Sequence, residues 1–324
     1  MTSEELLQKV RKIEIKTRGL SKNIFAGEYH SQFKGRGMSF SEVREYQPGD
    51  DVRSIDWNVT ARLSRPYIKV FEEERELTVM LLVDVSGSRN FGTLTQMKRD
   101  MITEVAATLA FSTIENNDKV GVIFFSDQVE KYIPPKKGKT HVLHIIRELI
   151  SFQPSSQKTD IQLALQYFTN AQKRRCTAFI ISDFQDEPML QTASSKGGCI
   201  PLLIAGNKHD LNAIQIYDHR DAELPNIGLL KLKDAETGER IWIDTADKRI
   251  TESYAKTWHK NQQALDSLFT KTGTRNICIR TDEDYVKGLM RLFRWVIIRN
   301  HLSLTYIIFS CFEYFICDII ECGS

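Results

Sequence analysis

The chain has 324 residues, with 44 lysines and arginines against 42 aspartates and glutamates, so its formal net charge is +2. This even balance argues against a nucleic-acid-binding protein, whose signature is a clear basic excess. Hydrophobic residues make up 41% of the chain and charged residues 27%, which is typical of a folded globular protein and excludes a largely disordered one.

The first 75 residues predict two small elements. Apolar residues recur at helical spacing across residues 1–18, which indicates an amphipathic helix. From 19 to 75, glycines and prolines interrupt short apolar runs such as YIKVF (67–71), which favours a small β-rich region.

Residues 76–295 alternate apolar runs with amphipathic stretches, which predicts βαβ units and a doubly wound, mostly parallel α/β sheet. The expected strands are 77–85, 119–126, 177–182, 199–205 and 275–280. The expected helices are 95–116, 140–150, 160–172, 187–196, 250–271 and 283–294. Residues 227–244 predict a β-hairpin insertion with its turn at Glu236-Thr237-Gly238.

Residues 296–324 form a strongly apolar and aromatic tail that holds three of the six cysteines. The stretch 302–320 approaches the length of a membrane span, but it contains Glu313 and Asp318, and an acid at mid-membrane costs about 2.5–3.5 kcal/mol. Three interpretations stay open: a tail anchor, a segment docked on this protein or a partner, or a degenerate extension.

Localisation is expected to be cytoplasmic. The start of the chain, MTSEELLQKVRKIEIKTRG, is charged and has no apolar core, so no signal peptide is expected. The cysteines show no C-x-x-C spacing, so a zinc ribbon is not indicated either. Association with the inner membrane, through a partner or through the tail, is the alternative.

The motif Asp84-Val85-Ser86-Gly87-Ser88 lies at the carboxyl end of the first core strand, where open α/β sheets bind ligands. One carboxylate and two hydroxyls form a hard oxygen set suited to Mg²⁺, Mn²⁺ or Ca²⁺. Thr159 precedes a predicted helix and Asp183 follows a predicted strand, so both lie at equivalent positions. For each of them alone, a helix cap or a turn residue is the competing interpretation.

This pattern resembles the metal-ion-dependent adhesion site of von Willebrand factor A domains. The resemblance implies a non-enzymatic module in which Mg²⁺ keeps one coordination position open for an acidic residue of a partner protein. The implied ligands are Asp84, Ser86, Ser88, Thr159 and Asp183. Thr140 and Ser155 are weaker alternatives to Thr159.

Residues 33–57, FKGRGMSFSEVREYQPGDDVRSIDW, lead into this region and are similar to the bacterial domain of unknown function 58 family. The resemblance extends over roughly 10–295. It implies partnership with a MoxR-type AAA+ ATPase or with other A-domain proteins. Arg89 departs from the methionine common in the family, and either weakens metal binding or recruits an acidic partner.

Five charged residues of this segment are candidates for partner binding: Arg44, Asp50, Asp51, Arg53 and Asp56. They are expected to form an ion network around Trp57. Three interpretations stay open: a structural clasp that ties the small region to the main domain, a partner-docking surface, and a second active site.

Two alternative functions also remain. One is a Mg²⁺-dependent hydrolase that uses the same oxygen cluster, although the sequence offers no evident general base. The other is a structural adaptor whose metal site is empty.

Overall fold

The computed structural model describes residues 39–48, 50–63, 65–72, 77–93, 96–193, 199–233 and 238–293, together with residues 8 and 11. Residues 8 and 11 are helical, and the rest of the predicted helix 1–18 lies outside the described residues, as does the tail 296–324. The chain divides into two compact units, Phe33–Leu77 and the remainder.

The unit Phe33–Leu77 is built on two antiparallel strands, β1 (Ser39–Glu45) and β2 (Tyr67–Glu72). This pair confirms the predicted β-rich segment. A 3-10 turn at Val52–Ser54 and a short helix, α1 (Trp57–Leu63), connect the strands, and the sequence patterns did not predict that helix.

A six-stranded sheet forms the centre of the other unit. The remaining strands of the chain are β3 (Thr78–Asp84), β4 (Lys119–Phe125), β5 (Val129–Lys136), β6 (Thr177–Ser182), β7 (Asp210–Tyr217), β8 (Leu229–Lys233), β9 (Arg240–Asp244) and β10 (Arg275–Arg280). Their order in the sheet is β10-β7-β6-β3-β4-β5, and every neighbouring pair is parallel except β4–β5. This order confirms the predicted doubly wound, mostly parallel sheet of von Willebrand A type.

Helices connect the strands. They are α2 (Lys98–Glu115), α3 (Lys139–Ser151), α4 (Ile161–Ala171), α5 (Glu187–Ala193), α6 (Ile200–Lys208), α7 (His219–Ala222), α8 (Lys248–Thr272) and α9 (285–293). No helix among the described residues is long and apolar enough to cross a membrane.

The core explains why β3 is almost continuously apolar. Six of its seven residues are buried, as expected for a central parallel strand covered on both faces. Met80 and Leu82 pack on one face against residues of α4, α6 and α8, including Phe168 and Leu265. Burial on both faces holds the end of β3 in a fixed position.

One predicted element needs correction. Residues 199–205 were expected as a strand, but Cys199 is the N-cap of helix α6 and residues 200–205 belong to that helix. The strand of this βα repeat is β7, a few residues later. A short apolar run has no periodicity that separates strand from buried helix. In the helix, Leu202 is buried whereas Leu203 is 43% exposed, so only part of the run faces the core.

Strand β5 was not predicted, since its sequence VEKYIPPK contains two prolines. Proline is tolerated at the sheet edge, where β5 lies. The predicted hairpin at 227–244 is confirmed by the antiparallel pairing of β8 and β9.

Candidate functional site

The strand order places one crevice at the carboxyl ends of β3 and β6. From β3 the chain continues to β4 on one side and later to β6 on the other, so the winding direction changes between these strands. Ligands of doubly wound folds bind at such a switch point. Asp84 ends β3, and Asp183 directly follows β6, so the sheet brings these two predicted residues to the same edge.

Asp84 is buried, with 2% of its surface exposed. Its Oδ1 accepts a hydrogen bond from the Ser86 amide at 2.9 Å, and its Oδ2 accepts one from the Ser182 hydroxyl at 2.6 Å. Ser182 Oγ in turn accepts the Phe184 amide at 3.0 Å. Neutral donors just after β3 and at the end of β6 therefore orient the carboxylate.

The loop after β6 has an unusual backbone. Phe184 has φ +54°, in the left-handed region that bulky residues avoid. Its ring is buried and packs edge-on against Phe269 with the centroids 5.4 Å apart. This anchored ring holds the strained turn that presents Asp183 and the Ser182 hydroxyl.

The two serines of the motif bring their hydroxyls together. Ser86 Oγ and Ser88 Oγ lie 3.0 Å apart and share a hydrogen bond. Ser86 is fully buried, and its hydroxyl also interacts with the Asp84 carboxylate. Asp84, Ser86 and Ser88 thus form one continuous oxygen cluster, as the sequence motif predicts.

Thr159 lies in a loop that is tethered next to this cluster. The Gly87 amide donates to the Gln157 carbonyl at 2.9 Å, and the Asp160 amide donates to the Ser126 carbonyl at 3.0 Å. Asp160 caps α4 by accepting the Leu163 amide. The fold therefore brings Thr159 to the same sheet edge, between these two tethers.

The two alternatives to Thr159 are placed less favourably. Ser155 donates its hydroxyl to Glu130 at 2.8 Å, so this group is already engaged. Thr140 follows β5, which runs antiparallel to β4, and the end of β5 therefore lies at the opposite edge of the sheet from Asp84.

Asp183 is buried at 4% exposure and has a cationic partner that the sequence analysis missed. Its Oδ2 accepts a hydrogen bond from Lys98 Nζ at 3.0 Å, and the same nitrogen lies 2.9 Å from Asp221 Oδ2. Burial opposes the charge of Lys98, but the two carboxylates outweigh it and raise its pKa. One signal was available, because a lysine at the first position of a helix opposes the helix dipole and needs another reason to be there.

The electrostatics of the cluster favour a cation. Burial, followed by the charge of Asp183, raises the pKa of Asp84 to about 6. Burial also raises the pKa values of Asp186 and Asp221. Several carboxylates thus lie in a low-dielectric environment that penalises their charge. The buried Arg89 guanidinium interacts electrostatically with Asp84, but the pKa of Asp84 is still raised, and a further cation beside Asp84 would lower the remaining penalty.

Arg89 is not on the surface. Its side chain is 5% exposed, and one terminal nitrogen donates to the Phe152 carbonyl at 3.0 Å. Its Nε is buried without a hydrogen-bond partner among the described residues, and burial lowers its pKa to about 10. Direct recruitment of a partner by Arg89 was therefore the wrong expectation, because burial keeps the guanidinium away from any docking surface.

The charged residues of the other unit make local contacts. Arg44 forms a two-pronged ion pair with Asp50 at 2.9 and 2.7 Å. Asp51 accepts the Arg53 amide at 2.9 Å, and Asp56 accepts the Asn58 amide at 3.0 Å. These contacts all lie within the unit Phe33–Leu77, so they do not decide between the interpretations, and partner binding by this group stays a prediction.

The residues at the switch point fit a hard divalent ion. Among the described residues, no group of three or more His, Cys, Asp or Glu side chains is arranged to hold a metal, so an ion here would depend on hydroxyl oxygens as well. Asp84, Ser86 and Ser88 supply such oxygens, and Mg²⁺ prefers them to nitrogen or sulfur.

The sheet order and this loop motif define an α/β domain of von Willebrand A type. The family model described as "Protein of unknown function DUF58" matches residues 42–264, and the chain belongs to this family. The family resemblance drawn from residues 33–57 and from the Asp84 motif is thereby confirmed.

The chain is also similar, at low sequence identity, to individual proteins and to solved structures. The uncharacterized protein Rv1480 of Mycobacterium tuberculosis is 28% identical over 289 residues, which cover 89% of this chain and 88% of the relative. The uncharacterized protein YeaD of Bacillus subtilis is 25% identical over 52% of this chain and 40% of its own. A crystal structure of the conserved hypothetical protein BatB from Bacteroides thetaiotaomicron has 16% identity and a TM-score of 0.42, with 68% of this chain and 98% of that chain covered.

Proposed function

We propose that this protein is a non-enzymatic, metal-dependent protein-binding module whose site is the oxygen cluster at the switch point. The observation that carries the proposal is the buried Asp84 carboxylate, which Ser86 and Ser182 contact only through neutral donors. Its raised pKa marks a charge that the surrounding protein compensates incompletely. A divalent cation completes such a site.

Asp84, Ser86 and Ser88 would hold the ion, with Thr159 in the adjoining loop. Asp183 contributes its charge, because its Oδ2 is already engaged by Lys98. When bound, the ion supplies an electrophilic position that accepts a carboxylate oxygen. The oxygens of the protein would hold the ion at the end of β3, where Asp84 and Ser86 are buried.

The partner is expected to present an acidic side chain to this position. The family resemblance makes a MoxR-type AAA+ ATPase the first partner to test, followed by other A-domain proteins. Recognition through a single ion also agrees with the near-neutral net charge of +2, because no broad charged surface is required.

Two measurements test the proposal. Isothermal titration calorimetry of Mg²⁺ and Mn²⁺ against the full chain should show one site that Asp84→Ala removes. The matched control is Asp247→Ala, which removes an exposed helix-capping carboxylate and should leave ion binding unchanged. Capture of the MoxR-type ATPase from the same genome should then require both Asp84 and the ion.

Two outcomes would overturn the proposal. Capture that persists in EDTA and in Asp84→Ala would mean that the partner does not bind through this site. Mg²⁺-dependent cleavage of p-nitrophenyl phosphate that Asp84→Ala abolishes would replace it with the hydrolase alternative.

A further inference from the structure

Lys98 is a buried lysine that contacts Asp183, one of the predicted site residues. Its side chain is 2% exposed, and its ammonium lies between Asp183 at 3.0 Å and Asp221 at 2.9 Å. A buried lysine of this kind carries a large desolvation cost, which its partners must offset. Placed beside a candidate cation site, the same charge also acts on any ion that enters.

The partners of Lys98 connect it to several loops at the same sheet edge. Asp221 Oδ2 also accepts the Asp218 amide at 2.8 Å. Asp218 accepts the Thr93 amide at 3.0 Å and the Thr281 hydroxyl at 2.9 Å. Lys98 therefore belongs to one network that joins the loops after β3, β6, β7 and β10.

The contact with Asp183 changes what that residue can do. Asp183 Oδ2 is held by the ammonium, and its Oδ1 accepts the Gln185 amide at 3.3 Å. A carboxylate oxygen already bound to a cation is a poor direct ligand for a second one, because the two cations repel each other. Of the carboxylates of Asp84 and Asp183, that of Asp84 is the one whose hydrogen-bond donors in the described structure, Ser86 and Ser182, are neutral.

We propose that Lys98 is a built-in counter-ion that lowers the divalent-ion affinity of the switch-point site and confines direct ion contact to the Asp84 side. This inference rests on the proposed function. The ammonium neutralises one carboxylate charge, so ion occupancy depends on a partner carboxylate to complete the site. A module with this arrangement binds its ion tightly only together with its partner.

Opposite charge changes test this role. Lys98→Met removes the ammonium and makes the net charge of the cluster more negative by one, so Mg²⁺ and Mn²⁺ affinity should rise by about ten-fold or more. Asp221→Asn removes one negative charge and leaves the ammonium to Asp183 alone, so affinity should fall. The double variant restores the original charge, and its affinity should return close to that of wild type.

Calorimetric titration of the full chain with Mg²⁺ and with Mn²⁺ measures these differences, and circular dichroism verifies folding. Lys131→Met is the control, because it removes one positive charge from the edge strand β5, where Lys131 pairs with Glu148. Its ion affinity should equal that of wild type. If Lys98→Met does not fold, the double variant should still bind the ion more tightly than Asp221→Asn.

The outcomes separate this inference from the proposed function. Ion binding by wild type with unchanged or weaker binding in Lys98→Met, or with the double variant no tighter than Asp221→Asn, overturns the counter-ion role and leaves the proposed function intact. Ion binding by Lys98→Met but not by wild type alone supports the counter-ion role, and the proposed function is then overturned only if the captured ATPase does not restore ion binding to wild type. An absence of ion binding in every variant overturns both.

Discussion

Replacing Asp84 with asparagine should stabilise the ion-free protein at neutral pH, although Asp84 is the central residue of the site. Burial and Asp183 raise the pKa of this carboxyl from its ordinary value of 3.8 to about 6. That rise corresponds to about 3 kcal/mol of lost stability once the group is ionised. Asparagine removes the charge but satisfies the donors that face Asp84 less well, at a cost of about 1 kcal/mol. The net gain is about 2 kcal/mol.

The pH decides whether Asp84→Asn is more or less stable than wild type. Below pH 3.8 the carboxyl is protonated in the folded and the unfolded state, so it costs nothing. As the pH rises from 3.8 to about 6, the unfolded state releases the proton first, and the folded state loses relative stability. Asp84→Asn should therefore be slightly less stable than wild type at pH 4 and more stable at pH 7.5.

Thermal unfolding in EDTA between pH 4 and 8 measures this reversal. A net gain of about 2 kcal/mol in a unit of this size corresponds to a Tm rise of about 4–8 °C at pH 7.5. Saturating Mg²⁺ should restore the advantage of wild type, since a ligand at 100 times its Kd stabilises by about 2.7 kcal/mol. Asp247→Asn should show no gain, because the Arg249 side chain lowers the pKa of that exposed cap.

A constant destabilisation of Asp84→Asn across the whole pH range would refute the reasoning. It would mean that the Asp84 charge is not penalised in the ion-free protein, and the main argument for a cation at this site would then be lost.

The remaining predictions concern the fold around the site. Leu202→Ala should destabilise the protein by about 2–5 kcal/mol, whereas Leu203→Ala, on the exposed side of α6, should change stability by less than about 0.5 kcal/mol in urea unfolding. Equal losses of stability in the two variants would contradict the assignment of 200–208 as a helix. Asp218→Ala should destabilise by about 2–4 kcal/mol, because a buried carboxylate that accepts bonds from Thr93 and Thr281 is lost. Burial opposes ionisation of Asp218, but these bonds outweigh it and lower its pKa, so its contribution is present above the ordinary value of 3.8 and is lost as the pH falls through the folded value. A wild-type-like acid unfolding curve for Asp218→Ala would contradict this.

Particular elements show where sequence patterns succeeded. β3 and β6 were predictable because central parallel strands are buried on both faces and therefore apolar throughout. Asp84, Ser86 and Ser88 were predictable as one group because two-residue alternation after a strand is a local property. β5 and α6 failed for local reasons too, since prolines at a sheet edge and a short apolar run are both ambiguous.

By itself, the sequence determined the class of fold, the motif at the end of β3 and the family to which the chain belongs. Only the tertiary structure decided which charges meet. Lys98 is separated from Asp183 by 85 positions along the chain, and Arg89 from Phe152 by 63, so no spacing rule could pair them. Such pairings depend on which strand ends share an edge of the sheet and on how deeply each side chain is buried. Burial then shifts the pKa values, because the free energy of a charged group depends on how much hydration it has lost and on which charges lie near it.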